Sequence, residues 1–179
     1  MRNWIGLLAL AVLVCVMGPA CPPGGWPEPP CDTTGTYVGT WEGSTDEDTP
    51  AEDQQEVVAC PLTITLTQDL SAAYPGDHGV TGTVVVNYSC IELPAGILEI
   101  PDSVVEVSGL LGDDGKLTLL SGGCGTGACL GLILTGNAVD ADDDGMMDSY
   151  SGDWGLAIML AGIQAFGIDG TFQVVPASE

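Results

Sequence analysis

Short runs in which apolar residues alternate with polar ones, separated by turn signals, limit how this chain can fold. The clearest is Cys60–Thr67, where Leu62, Ile64 and Leu66 share one side and Thr63, Thr65 and Thr67 the other. A period of two is what a strand requires when one face meets a core and the other meets water. Seven more segments read as strands: Thr36–Trp41, Val80–Cys90, Val104–Leu111, Lys116–Ser121, Leu130–Leu134, Tyr150–Ile158 and Gly170–Val175. Residues 155–167 stay open, because Leu156, Met159, Leu160, Ile163 and Phe166 also follow helical spacing and a strand followed by a bend fits equally. The 26 glycines and 12 prolines favour strands and turns over helices. Sequential hairpins in one domain over residues 35–179 predict an all-β fold, a small antiparallel barrel, with a β-sandwich as the second choice.

Two hairpins can be put in register from the sequence. Asp113-Asp114-Gly115 is a three-residue loop with glycine at the left-handed position, which pairs Leu111 with Leu117 and Gly109 with Leu119. That register sets Val105, Val107, Leu111, Leu117 and Leu119 on one face. The second hairpin, centred on Pro75, pairs Leu66 with Val84, Ile64 with Val86, Leu62 with Tyr88 and Cys60 with Cys90. All share the apolar face, so a Cys60–Cys90 disulfide is predicted. Between the first two strands, Glu42–Glu56 holds seven acids in fifteen residues and reads as a solvated loop.

Residues 1–20 carry Arg2, an apolar run from Ile5 to Met17, and then small residues before Cys21. That run is too short to span a bilayer and suits the core of a signal peptide. Gly18-Pro19-Ala20-Cys21 resembles a bacterial lipoprotein signal, although Gly18 stands where leucine is usual. The resemblance implies cleavage before Cys21 and lipidation of that cysteine. Pro22 rather than Asp after it implies the outer membrane or cell surface. Ordinary cleavage near Ala20, giving a periplasmic or secreted protein, is the alternative. Residues 21–34, rich in proline and glycine, read as a tether. With Cys15 lost and Cys21 lipidated, Cys31, Cys60, Cys90, Cys124 and Cys129 remain, an odd number that leaves one free or paired between chains; without lipidation six remain and allow three bridges, so the count weighs mildly against lipidation. Gly122–Cys129 reads as a bent loop closed by Cys124–Cys129. Zinc is the competing use of these cysteines, but no C-x-x-C pair exists and His78 is the single histidine.

The formal net charge of −23, with only Lys116 and Arg2 as lysine or arginine, argues against nucleic acid and against a polybasic grip on lipid. Asp140-Ala-Asp142-Asp143-Asp144-Gly145-Met146-Met147-Asp148 resembles the calcium loops of EF-hands, dockerins and thrombospondin type 3 repeats. The resemblance implies Ca2+ held by Asp140, Asp142, Asp144 and Asp148, by the Met146 carbonyl, and by Asp153 in place of the usual glutamate, since position 12 is Ser151. An acidic hairpin loop without metal is the other reading. Gly39-Thr40-Trp41 is similar to the G-x-W tripeptide on the first strand of lipocalins, implying a barrel of that type. His78, in Pro75-Gly-Asp-His-Gly79, reads as a surface-turn residue without a nucleophile to serve. Catalytic motifs such as G-x-S-x-G or H-E-x-x-H are absent. The chain therefore reads as an exported, lipid-anchored, non-catalytic binding module with a calcium loop, able to hold a small hydrophobic ligand in its barrel. The alternatives are a structural or adhesion protein that meets a surface protein or glycan through calcium, and a carboxylate-dependent hydrolase.

Overall fold

The computed structural model describes residues 28–45, 51–74, 77–92, 103–122, 127–160 and 163–178. The expected signal peptide, Cys21 and Cys124 lie outside these residues. Eight strands follow in chain order: β1 (Gly35–Thr45), β2 (Glu56–Tyr74), β3 (Asp77–Val86), β4 (Val104–Gly112), β5 (Lys116–Ser121), β6 (Ala128–Val139), β7 (Ser149–Leu160) and β8 (Ile163–Pro176). Each pairs antiparallel with the next, and β8 returns to β1, so the sheet is a closed up-and-down barrel of lipocalin-like type. The sandwich alternative falls, because β1 pairs with β8 from Tyr37↔Pro176 to Thr45↔Ile168 and leaves no edge between them. The helical reading of 155–167 falls too. Leu156↔Ile168 and Ile158↔Phe166 are ladder pairs, and those apolar side chains point inward at period two.

The inward faces form one core, in which Leu62, Ile64, Leu66, Val84, Leu111, Leu117, Leu119, Leu134 and Ile158 are buried. In an eight-stranded barrel the interior is just wide enough for side chains to fill or for one small ligand. Here aromatic rings occupy it: Trp41 and Trp154 lie 3.9 Å apart, and Tyr150 meets Phe172 edge-on at 4.7 Å. Among the described residues these rings and the aliphatic side chains of the core line the barrel interior. The outward face carries Thr36, Thr63, Thr65, Thr81, Thr83 and carboxylates. Exposed Val38, Val85, Val104, Leu110, Leu120, Ile133 and Val175 are interspersed among them. Coiling into so small a barrel brings backbones close: a Cβ on Gly152 would lie 2.2 Å from the Thr135 carbonyl oxygen, so this bend accepts only glycine.

The β4–β5 hairpin has the expected register, Leu111↔Leu117 and Gly109↔Leu119, with Gly115 at φ 78°. The β2–β3 register differs from expectation by two residues: Ile64 faces Val84 and Leu62 faces Val86. The cause is an irregularity between Asp69 and Ala73, which adds residues to β2 that a simple hairpin lacks. Cys60 and Cys90 are nevertheless joined, with Cα atoms 5.9 Å apart. β3 ends at Val86, and a 3-10 turn over Tyr88–Cys90 folds the chain back to the bridge. Asn87 starts that turn by accepting the Ser89 N–H at 2.9 Å. A second bulge lies where β2 passes Trp41 and Gly43. Ala59 takes φ 52° there, so Val57 and Cys60 both point inward while Val58 is exposed. The acidic run begins later than expected, because Glu42 and Ser44 belong to β1.

Candidate metal centre

An up-and-down barrel puts alternate connections at the same end. The β2–β3, β4–β5 and β6–β7 connections therefore share one end with the segment leading into β1. The β6–β7 connection is the aspartate loop, entered after Val139 and left at Ser149, which face each other in the ladder. Two left-handed residues, Asp143 at φ 60° and Gly145 at φ 87°, turn it back on itself. Aspartate tolerates that conformation better than most side chains, and glycine adopts it without strain.

Within the loop the carboxylates accept backbone N–H groups. Asp140 accepts from Asp144 at 3.2 Å and from Gly145 at 2.8 Å, Asp142 from Asp144 at 3.2 Å, and Asp148 from Ala141 at 2.7 Å. These bonds fold the chain so that one ligand oxygen from each of Asp140, Asp142 and Asp148 lies within 4.8 Å of the other two. Asp142 is exposed, and Asp140 and Asp148 are half-buried. At such separations each carboxylate pair repels by about 1 kcal/mol at the dielectric of water and more near the protein surface. Hard oxygen donors converging on one point suit a hard divalent cation.

The other two expected side-chain ligands are not among these three. Asp144 lies in the same loop, where one of its carboxylate oxygens accepts the Met146 N–H at 2.8 Å. Asp153 is not brought to the loop. It lies on β7 opposite Thr135 and Thr171, with its side chain exposed on the barrel wall. The strand leaving the loop is extended, and four residues of extended chain carry Asp153 about 13 Å beyond Ser149. In an EF-hand a helix would curl the same residues back.

The segment before β1, expected as the end of a free tether, is docked on this loop. Asp32 donates its N–H to the Gly145 carbonyl at 2.7 Å and accepts the Met147 N–H at 3.0 Å, forming a parallel bridge. Thr33 is buried and gives both its N–H, at 2.8 Å, and its hydroxyl to Gln68 Oε1. Cys31 is buried with a free thiol. Burial, with Asp140, Asp32 and Asp148 nearby, pushes that thiol up to about 11. Burial likewise raises the Tyr37 hydroxyl to about 12, aided by Cys31, Asp32 and Asp148. Both groups are protonated at neutral pH and add no charge beside the carboxylates. His78 also departs from expectation: it is buried, with Nε2 3.7 Å from an Asp113 oxygen. The clue was its parity with Val80, which faces the core. At the opposite end Cys129 is disulfide-bonded, and its expected partner Cys124 lies outside the described residues.

No protein-family model, curated protein or solved structure matches this chain significantly.

Proposed function

We propose that this chain is an exported binding module, non-catalytic and anchored by a lipid on Cys21 at the outer membrane or cell surface, whose 140–148 loop binds calcium. The convergence of Asp140, Asp142 and Asp148 carries the metal reading. These three residues would hold the ion, and the ion would offset their repulsion and stiffen the ends of β6 and β7. Without the bidentate glutamate, affinity falls in the weak extracellular range, roughly 10⁻⁴–10⁻³ M, and magnesium binds less well because it demands a small octahedral cage. The closed eight-stranded barrel supports a binding role as well, being of a size to hold one small ligand.

At ten times the dissociation constant, calcium raises stability by about 1.4 kcal/mol. Thermal melting against calcium is expected to show an upward shift for the wild type, and little or none for Asp142→Asn/Asp148→Asn. A wild-type melt unmoved at about 10 mM calcium, or moved equally in the double variant, makes the loop an acidic turn only.

Cysteine pairing bears on the anchor. Cys60 is bonded to Cys90, Cys129 is bonded, and Cys31 is free. Lipidation of Cys21 requires that the partner of Cys129 be another cysteine, Cys124 on the sequence reading. Cys21→Ser is expected to move the protein from the membrane fraction to the soluble one. A wild type that is already soluble, with an unmodified amino terminus, would refute the anchor.

A further inference from the structure

We propose that Cys31–Thr34, the segment leading into β1, is a strap that calcium locks: its docking on the barrel and cation binding at Asp140, Asp142 and Asp148 are two parts of one equilibrium. The inference rests on the calcium reading above and names the regulation of that same site. The strap grips the loop through its backbone. Asp32 gives its N–H to the Gly145 carbonyl at 2.7 Å and accepts the Met147 N–H at 3.0 Å. Gly145 in turn gives its own N–H to the Asp140 carboxylate at 2.8 Å. One residue thus holds the strap by its carbonyl and a metal-binding carboxylate by its N–H. Met147 and Cys31, 1% and 2% exposed, turn their side chains into the core from the two sides of this contact. The far side of the strap is latched to β2, away from the loop. Thr33 gives its N–H and hydroxyl to Gln68 Oε1, and the Gln68 N–H goes to the Thr34 hydroxyl at 3.1 Å.

Opposing forces meet at this dock. The hydrogen bonds and the burial of Cys31 and Thr33 hold the strap down. Charge pushes it off, because Asp32, Asp140 and Asp148 all act on the Cys31 thiol, so docking brings a further carboxylate toward the metal-binding set. A divalent cation cancels that repulsion. It also needs the carboxylates where the docked loop holds them. With the strap released, the Gly145 carbonyl and the Met147 N–H return to water, and the loop must be ordered again when an ion binds, at a cost in entropy. Calcium therefore binds the docked state better and shifts the strap toward it, and by linkage docking raises calcium affinity by the same factor. Gln68 sets the balance from a distance. An apolar side chain in its place leaves the buried Thr33 N–H without an acceptor, which favours release.

The test is amide hydrogen exchange on the full chain, in EDTA and in calcium chloride, read residue by residue beside a thermal melt of the same samples. At ten times the calcium dissociation constant, exchange of the Asp32 and Thr33 amides is expected to slow about tenfold, the factor by which an ion that binds only the docked state suppresses opening. The Thr33 amide is the sharper probe, since its acceptor lies on β2 and not on the loop. The Cys90 and Ile91 amides, bonded within the 3-10 turn at the other end of the barrel, are expected to keep their rates. Gln68→Leu is expected to speed Thr33 exchange and to weaken calcium binding about fivefold, although it touches none of the three carboxylates. If calcium raises Tm but leaves Asp32 and Thr33 exchange unchanged in the wild type, the coupling is wrong and the calcium reading stands. If calcium moves neither Tm nor exchange, the calcium reading has failed and the strap with it. Uniform slowing that includes Cys90 and Ile91 reports global stabilisation and also defeats the coupling, as does a Gln68→Leu variant with a released strap and undiminished calcium affinity.

Discussion

Trp41→Ala is expected to destabilise the barrel by about 3–5 kcal/mol, the range for removing a fully buried large aromatic side chain. Trp41 is 1% exposed, and its ring lies against Trp154 across the interior. On β1 its inward neighbours are Gly39 and Gly43, so no adjacent side chain of that strand can move in to fill the space. A closed sheet resists collapse around a cavity, which places the loss toward the upper end of the range. Neither indole Nε1 of the pair has a hydrogen-bond partner among the described residues. Trp41→Phe removes one unpaired buried donor while keeping most of the ring, and is expected to cost less than half as much. Urea unfolding of both variants checks the pair. Equal losses in Phe and Ala would show that packing volume is not what Trp41 supplies.

Cys60→Ala/Cys90→Ala is expected to cost about 3 kcal/mol and to lower Tm by about 10 °C. The bridge joins residues 30 apart in sequence, and closing such a loop removes freedom mainly from the unfolded chain. It also ties the 3-10 turn after β3 to the inward face of β2, at the end where β3 gives way to the long connection to β4. Thermal melting of the double variant measures the effect. A loss below about 1 kcal/mol would mean that the connection is held without it.

The aspartate loop was half legible in the sequence. Its D-x-D-G pattern identified the turn and two left-handed positions realise it, because these are local effects of aspartate and glycine. Which carboxylates converge was not legible. Asp144 satisfies its own turn, and Asp153 is carried up the wall because an extended strand follows the loop where the resemblance assumes a helix. The buried His78 was missed because the proline and glycine before it pointed to the surface. The docking of Asp32 between Gly145 and Met147 joins segments far apart in the chain, and no local pattern announces it.

The sequence by itself determined most of the strands, leaving 155–167 open between helix and strand, together with the β4–β5 register and the shared parity of Cys60 and Cys90. Each of these follows from side chains within a few residues of one another: alternation at period two, a glycine at a left-handed turn position, and matching parity along neighbouring strands. Only the tertiary structure decided that the sheet closes between β1 and β8, since the same alternation serves a sandwich and a barrel alike. It also decided the bulges at Ala59 and beyond Asp69, which shift register without changing composition. Those outcomes depend on pairing between distant strands, where closing the barrel to bury one shared core outweighs what any single strand prefers.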